Sequence, residues 1–122
     1  MIKVIACFKR KPGMTMADFT SYYFDHHAAL FRARTPPEVW GGIVHYVQNH
    51  AIELGAPGQE PPYDCVTEIG FADLAALERW NDWYFGDGGA ELRDDELRFM
   101  DKTTRVIVVT EQRVPEPFPK LP

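Results

Sequence analysis

Two adjacent histidines stand in a segment that the sequence predicts to be helical, and they are the first candidates for chemistry. Over residues 15–32 the apolar side chains recur with the period of one helix face, at Met16, Phe19, Tyr23 and Leu30. His26 and His27 flank this face, so at least one imidazole is expected beside the protein interior. It could transfer protons, because the ordinary pKa of histidine is about 6.5. It could equally be a core histidine that is hydrogen-bonded to the backbone.

A carboxylate stands in the middle of an apolar predicted strand. Glu68 lies between Thr67 and Ile69, where an unpaired buried charge would be costly. One interpretation is a structural ion pair, for example with Arg105. The other is a place in a pocket beside His27, where the carboxylate would set the tautomer of the imidazole and raise its basicity. Burial would lower the pKa of that imidazole and a carboxylate would raise it.

Further candidates for ligand contact lie on the second predicted strand and the second predicted helix. Tyr46 and His50 share one strand face, where a phenol and an imidazole could orient a phenolic or enolic substrate. Alternatively, Tyr46 is a core aromatic residue and His50 lies at an exposed strand end. Aromatic side chains could also wall an apolar cavity, although at helical spacing they more often form a core: Phe8, Phe71, Trp80, Trp83 and Tyr84.

The elements that carry these residues follow one order. The sequence predicts strands at 2–8, 43–52, 64–71 and 104–111, helices at 15–34 and 74–84, and a short helical turn near Asp94. This order, βαββαβ, is typical of a ferredoxin-like α+β domain with both helices on one face of the sheet. Residues 1–112 would form this domain, and the proline-rich residues 113–122 an extended arm.

The open face of such a sheet needs a cover where the strands are apolar on both sides. Residues 106–109 are four consecutive apolar residues, two to each face. We therefore expect a homodimer in which two sheets pack face to face.

Composition narrows the class of protein further. A chain of 122 residues that is 45% hydrophobic suits one domain, and its net charge of -5 argues against a nucleic-acid partner. The sequence predicts no signal peptide or membrane span, and two reduced cysteines, so we expect a cytoplasmic protein. His26 and His27, like His45 and His50, lack a metal-ligand spacing, and no phosphate-binding glycine motif is present. We expect no metal and no cofactor.

Several motifs together resemble the EthD family. They are Lys11-Pro12-Gly13-Met14-Thr15, Phe19 with Tyr22-Tyr23 and His27, the run from His45 to His50, Tyr63-Asp64 with Glu68 and Phe71, and Asp95-Glu96 with Phe99 and Asp101. The resemblance implies a dimeric α+β barrel, a fold shared with polyketide cyclases, quinone-forming monooxygenases, muconolactone-type isomerases and haem-degrading enzymes. It also implies a cavity between helices and sheet in each protomer.

The same resemblance selects His27 over His26, because the family has a histidine four residues after an aromatic residue, here Tyr23. The family commonly has tryptophan at that position, and the smaller Tyr23 could widen or polarise the pocket. Haem is not expected, because the haem enzymes of this fold carry their axial histidine on a helix other than the first, and residues 73–84 contain none.

The sequence therefore predicts a cofactor-free enzyme acting on a small aromatic, polyketide-like or lactone substrate by proton transfer, as an isomerase, cyclase, dehydratase or simple monooxygenase. His27 would be the general base or acid and Glu68 would position it. The substrate would contact a set of pocket residues: Tyr23, Tyr46, His50, Phe71 and Trp80. The alternative is a non-catalytic accessory protein that binds a hydrophobic metabolite.

Overall fold

The computed structural model describes residues 1–55 and 58–116, which form a four-stranded antiparallel sheet covered by helices. The strands are β1 (Ile2–Arg10), β2 (Ile43–His50), β3 (Cys65–Phe71) and β4 (Met100–Glu111), in the order β2-β3-β1-β4. The helical elements are α1 (Met16–Ser21), a π-helical segment (Tyr22–His27), α2 (Ala28–Arg34), α3 (Pro37–Trp40), α4 (Leu74–Phe85), a 3₁₀ turn (Asp87–Gly89) and α5 (Ala90–Glu96). The predicted ferredoxin-like α+β fold is confirmed.

The strand register gives the sheet two unlike faces. Val4 of β1 pairs with Ile69 of β3, and both are buried beneath the helices. Since side chains alternate along a strand, the next residues point the other way. Ile5 pairs with Glu68 on one side and with Val108 on the other, away from the helices. We call this second surface the open face; its apolar members are Ile5, Cys7, Val47, Val66, Val106 and Val108.

Two clusters of buried side chains fill the space between helices and sheet. The larger cluster joins α2, α3, α4 and α5 to the sheet through Val4, Phe31, Val39, Ile69, Phe71, Ala76, Leu77, Trp80, Tyr84 and Leu92. The smaller cluster lies under α1 and the π-helical segment and consists of Phe8, Phe19, Tyr23, Cys65, Phe99 and Met100. Burial of these apolar side chains is the main force that holds the layers together.

The π-helical segment changes which residues of the first helix are buried. In a regular α-helix Phe31, twelve residues after Phe19, would lie about 120° away from it, since each residue turns by about 100°. A π turn holds about one extra residue and so removes most of this drift. The result is a buried row of Phe19, Tyr23, His27 and Phe31. The stripe predicted from the sequence ended in Leu30 and left His27 at its edge, because it assumed an unbroken α-helix.

Other predicted boundaries were confirmed or shifted by a few residues. Thr15 caps α1 by accepting a hydrogen bond from the backbone of Asp18, and Asp73 caps α4 in the same way. The acid-rich turn expected near Asp94 is a helix, α5, and β4 begins at Met100. Leu74, the first residue of α4, is exposed.

Residues 113–116 have no regular secondary structure and are exposed. The rest of the predicted arm, 117–122, lies outside the described residues, and the division of the chain at 112 stays a prediction. No helix in the described ranges is long and apolar enough to cross a membrane.

Candidate functional site

A cavity of about 120 Å³ lies between the helices and the sheet. Its floor is formed by apolar residues of β1 and β3, among them Val4, Ala6 and Ile69. A second set of lining residues is polar and comes from the helices and the strand edges: Tyr23, His27, Tyr46, Thr67, Tyr84, Glu96 and Arg105. An apolar cavity of about 150 Å³ can hold a benzene ring, so this cavity has the size of a single small ring.

His27 is the buried imidazole of this cavity. Its ring stands against Phe99, with centroids 4.7 Å apart, and only 4% of the residue is exposed. Nδ1 lies 2.8 Å from Oδ2 of Asp95. Within residues 1–55 and 58–116 nothing hydrogen-bonds to Nε2, and His27 lines the cavity.

The Asp95 carboxylate fixes the tautomer of His27. An ionised carboxylate can only accept hydrogen bonds, so Nδ1 carries the proton and Nε2 keeps its lone pair when the ring is neutral. Burial lowers the pKa of His27 below 6.5, although the hydrogen bond and charge of Asp95 and the charge of Glu96 act in the opposite direction. Burial is the stronger effect, and the neutral, basic form therefore prevails at neutral pH.

Asp95 is itself held in its charged form. The Tyr22 hydroxyl donates to Oδ1 at 2.5 Å, and the Nε2 atom of exposed His26 lies 3.6 Å from the same oxygen. Burial raises the pKa of Asp95, but the hydrogen bonds from Tyr22 and His27 outweigh it and bring the pKa below 3.8. Partial burial and the bond to Asp95 raise the pKa of Tyr22 to about 12, so the phenol remains a donor.

The neighbouring residue of α5, Glu96, supplies a second buried carboxylate that lines the cavity. The Tyr84 hydroxyl lies 2.6 and 2.8 Å from its two oxygens. Lys102 Nζ lies 2.9 Å from Oε1, and Arg105 Nη1 lies 3.4 Å from the same atom. Burial and then the nearby Glu96 charge raise the pKa of Tyr84, which keeps its hydroxyl protonated.

The second strand contributes Tyr46 to the cavity wall and directs His50 elsewhere. Gln48 Nε2 donates to the Tyr46 hydroxyl at 2.8 Å, and Gln48 Oε1 lies 2.9 Å from His50 Nε2. His50 packs beneath α1 against Phe19 and is not part of the cavity wall. The structure therefore does not bring His50 to the cavity, where it was expected to orient a substrate.

Glu68 does not meet His27, which corrects the pairing expected from the sequence. It lies on the open face, where Lys3 Nζ donates to Oε1 at 2.7 Å and His45 Nε2 lies 3.3 Å away. The hydrogen bond from Lys3 is the main cause of its lowered pKa. Strand alternation explains the error: Thr67 and Ile69 face the helices, so Glu68 between them must face away. The ion-pair interpretation holds, with Lys3 in place of Arg105.

Of the remaining residues predicted to contact a substrate, two line the cavity and one does not. Tyr23 and Trp80 line the cavity, and Tyr23 Oη lies 2.6 Å from Thr67 Oγ1. Phe71 is fully buried behind Trp80, at a ring distance of 5.7 Å, and does not reach the cavity. Its predicted contact with a substrate is wrong because it fills the core of the same layer.

The sequence patterns assigned no role in the cavity to Asp95, Glu96 or Arg105, whereas Tyr84 was among the aromatic residues expected to wall it, and it does line the cavity. The adjacent acids Asp95 and Glu96, placed shortly before Phe99, were a recognisable motif. Within 1–55 and 58–116, no three side chains of His, Cys, Asp or Glu converge in a way that could hold a metal ion.

Residues 11–103 match the family model of the EthD domain. An EthD family protein from Bacillus halodurans shares 23% identity, with a TM-score of 0.63 over 93% of this chain and 99% of the other. An EthD-like protein from Ralstonia eutropha shares 18%, with a TM-score of 0.67 over 95% of each chain. A dimeric protein of ferredoxin-like fold from Bacteroides fragilis shares 12%, with a TM-score of 0.58 over 91% of this chain and 95% of that one. No curated protein matches significantly.

At these identities the solved structures establish a common fold and nothing finer. The family match covers most of the chain, and it agrees with the motifs around Tyr23 and His27 that the sequence presents. The protein belongs to the EthD family.

Proposed function

We propose that the protein is a cofactor-free enzyme that moves a proton on a small aromatic, polyketide-like or lactone substrate. The reaction would be an isomerisation, cyclisation or dehydration within the cavity or, with molecular oxygen as co-substrate and oxidant, a simple oxygenation. His27 is the general base and then the general acid. Asp95, in place of the expected Glu68, positions it. Tyr23, Tyr46 and Trp80 form the substrate-contacting wall.

The observation that carries this proposal is a buried His27 that lines the cavity, with Nδ1 bonded to Asp95 and with no hydrogen-bond partner for Nε2 within residues 1–55 and 58–116. A core histidine with only a structural role would have both nitrogens satisfied. A general base needs a free lone pair within reach of the substrate and a pKa near or below the working pH. His27 meets both requirements.

The chemistry follows from the two protonation states of His27. In the neutral ring, Nε2 takes a proton from an acidic C–H or O–H of the substrate, which leaves an enolate or phenolate. The imidazolium that forms is stabilised by the Asp95 carboxylate at Nδ1. Nε2 then returns the same proton to another atom of the substrate, for isomerisation, or to a departing hydroxyl group, for dehydration.

We further propose that the active form is a homodimer with the open faces of two sheets packed together, in a dimeric α+β barrel. Val106 and Val108 are 47% and 52% exposed in the single chain, on the side opposite the helices. Apolar strands of this kind usually need a cover. The Bacteroides fragilis protein of ferredoxin-like fold is described as dimeric.

The apolar cavity floor, the net charge and the free thiols bear on the class of ligand and on the location of the protein. A small hydrophobic or aromatic ligand suits a cavity whose floor is apolar. Nucleic acid is no part of the proposal, since the net charge is -5. Cys7 and Cys65 are free thiols, which supports a reducing compartment such as the cytoplasm.

Hydrogen–deuterium exchange at substrate carbons tests the proposal without knowledge of the natural substrate. Single-ring enolisable ketones, lactones and phenols are incubated with the protein in D₂O, and exchange is followed by NMR. The wild-type protein should accelerate exchange for at least one class of compound. His27→Gln should lower this acceleration by about 10²- to 10⁴-fold, the usual contribution of a general base. His50→Gln, outside the cavity, serves as the matched control and should retain it.

A second candidate is a non-catalytic accessory protein that binds a hydrophobic metabolite, and the largely apolar floor of the cavity favours it. The same panel separates the two candidates. Binding that perturbs the NMR signals of the cavity residues, with no exchange beyond the buffer rate and no effect of His27→Gln, would contradict the enzyme and support the accessory protein.

A further inference from the structure

The polar end of the cavity carries a cation with unused hydrogen-bond donors. Arg105, on β4, has a side chain that is 19% exposed and lines the cavity. Its recorded bonds both use Nη1, to the Tyr84 hydroxyl at 3.2 Å and to Glu96 at 3.4 Å. Within residues 1–55 and 58–116, Nε and Nη2 have no partner. The bond to Glu96 is also longer than the 2.7–2.9 Å that is usual for a guanidinium bound to a carboxylate.

Glu96 is already bound by other groups. Lys102 approaches it to 2.9 Å, and the Tyr84 hydroxyl lies 2.6 and 2.8 Å from its two oxygens. Lys102 therefore supplies the closer positive charge, and Arg105 is the more weakly engaged of the two cations. Lys102 and Arg105 share one carboxylate, so the charge of Arg105, beside an apolar cavity, is only partly balanced. A charge in such a place is costly unless it is paired.

We propose that Arg105 anchors an oxyanion of the ligand, and that the ligand is a single-ring compound with this oxyanion attached to or directly beside the ring. The proposal rests on the proposed function for the identity of the cavity and narrows its substrate class. The planar guanidinium suits a carboxylate, which it can bind through two parallel N–H bonds. The volume of about 120 Å³ limits the apolar part to about one ring.

Arg105 would also stabilise the negative charge that develops on the substrate during the reaction. When His27 Nε2 removes a proton from an enol, phenol or ketone, the negative charge appears on the substrate oxygen. A cation fixed in a cavity shielded from water stabilises such a charge far better than water-exposed groups do. His27 and Arg105 line the same small cavity, so one ring can contact both side chains.

The test compares benzoate with benzamide, which have similar shape and differ in charge. Binding is measured by calorimetry to the wild-type protein and to Arg105→Gln, Arg105→Lys and Glu96→Gln. Arg34→Gln is the matched control, because Arg34 is exposed and pairs with Glu91. Wild-type protein should bind benzoate roughly 10- to 100-fold more tightly than benzamide, the usual effect of a charge-assisted hydrogen bond.

Arg105→Gln should abolish this preference, mainly by weakening benzoate binding, while Arg105→Lys should restore part of it. Glu96→Gln should tighten benzoate binding, because it removes the competing carboxylate. The inference is overturned if wild-type protein binds benzoate no more tightly than benzamide, if it binds neither at millimolar concentration, or if folded Arg105→Gln keeps the preference. A preference for benzoate without proton exchange would contradict the proposed catalysis and leave Arg105 as an anion anchor. Proton exchange without a preference for benzoate would contradict the anchor and leave the proposed catalysis standing.

Discussion

Nδ1 of His27 lies 2.8 Å from Oδ2 of Asp95, although the two residues are 68 positions apart in the chain. The π-helical segment brings the imidazole into the buried row of the first helix, and the end of α5 brings the carboxylate against it. The pKa of Asp95 and the pKa of His27 are both lowered. At neutral pH the pair is therefore a carboxylate and a neutral imidazole, and a neutral imidazole can accept a proton as a general base.

Stability should fall as the solution is made mildly acidic. The pKa of His27 is lower in the folded protein than its ordinary value of 6.5, so the unfolded chain binds a proton first. The contribution of His27 to stability is complete above pH 6.5 and is lost as the pH falls from 6.5 to the folded pKa. His50 acts in the same direction, because burial lowers its pKa. Asp95, whose pKa is lowered, loses its contribution only below about pH 4.

Urea unfolding between pH 7.5 and 5 measures this slope. His27→Gln should reduce the slope by at most about 1.4 kcal/mol per pH unit, which corresponds to one proton. His50→Gln separates the contribution of the second histidine. Equal slopes in His27→Gln and wild-type protein would show that His27 has an unperturbed pKa.

Tyr22→Phe should destabilise the protein by about 1–2 kcal/mol, because the hydroxyl donates to a buried carboxylate. The loss of this donor should also raise the pKa of Asp95, since the bond from Tyr22 is the largest of the effects that lower it. A double-mutant cycle with Asp95→Asn isolates the interaction. If Tyr22→Phe costs the same free energy of unfolding in both backgrounds, the hydroxyl does not act through Asp95.

Glu68→Gln should leave the His27 ring unchanged, because Glu68 lies on the open face and bonds to Lys3. In the single chain this ion pair is partly exposed, and there the expected loss of stability is below about 1 kcal/mol. The measurement is the chemical shift of the His27 ring protons at fixed pH together with the unfolding free energy. A shift of the His27 signals comparable to that in Asp95→Asn would mean that the open face and the cavity are coupled.

Val108→Asp should convert the proposed homodimer into monomers, because it places a charge in the apolar centre of the open face. Leu74→Asp is the matched control: Leu74 is similarly exposed but lies on α4, in the helical layer. Sedimentation equilibrium at micromolar concentration gives the mass. A wild-type monomer, or a Val108→Asp dimer, would contradict the face-to-face arrangement.

The order of elements could be predicted from local patterns, because periodicity reports which face of an element is apolar, and the same periodicity placed at least one of His26 and His27 beside the interior. The π-helical segment could not, since a helix with one extra residue per turn has no distinct local pattern. It determines that Phe31, rather than Leu30, completes the buried row with His27. The local pattern therefore could not choose between His26 and His27, and it was the resemblance to the EthD family that selected His27.

The partner of His27 was beyond local reasoning for a different reason. The sequence suggested Glu68 as the partner of His27 because a carboxylate in an apolar strand is unusual. Glu68 alternates with Thr67 and Ile69, however, and therefore lies on the open face of the sheet. Asp95 stands in an acid-rich stretch that looks like ordinary solvent-exposed helix. Only the packing of α5 against the π-helical segment brings it to His27.

Titration of the His27 ring by ¹H and ¹⁵N NMR, in wild-type protein, Asp95→Asn and the control Glu68→Gln, reports both the pKa and the tautomer of the proposed base. If Asp95 positions His27 as a base, the wild-type pKa lies below 6.5, the neutral ring is protonated at Nδ1, the pKa falls further in Asp95→Asn, and it does not change in Glu68→Gln. A wild-type pKa above 6.5, a neutral ring protonated at Nε2, or a pKa that does not fall in Asp95→Asn would contradict this role of Asp95.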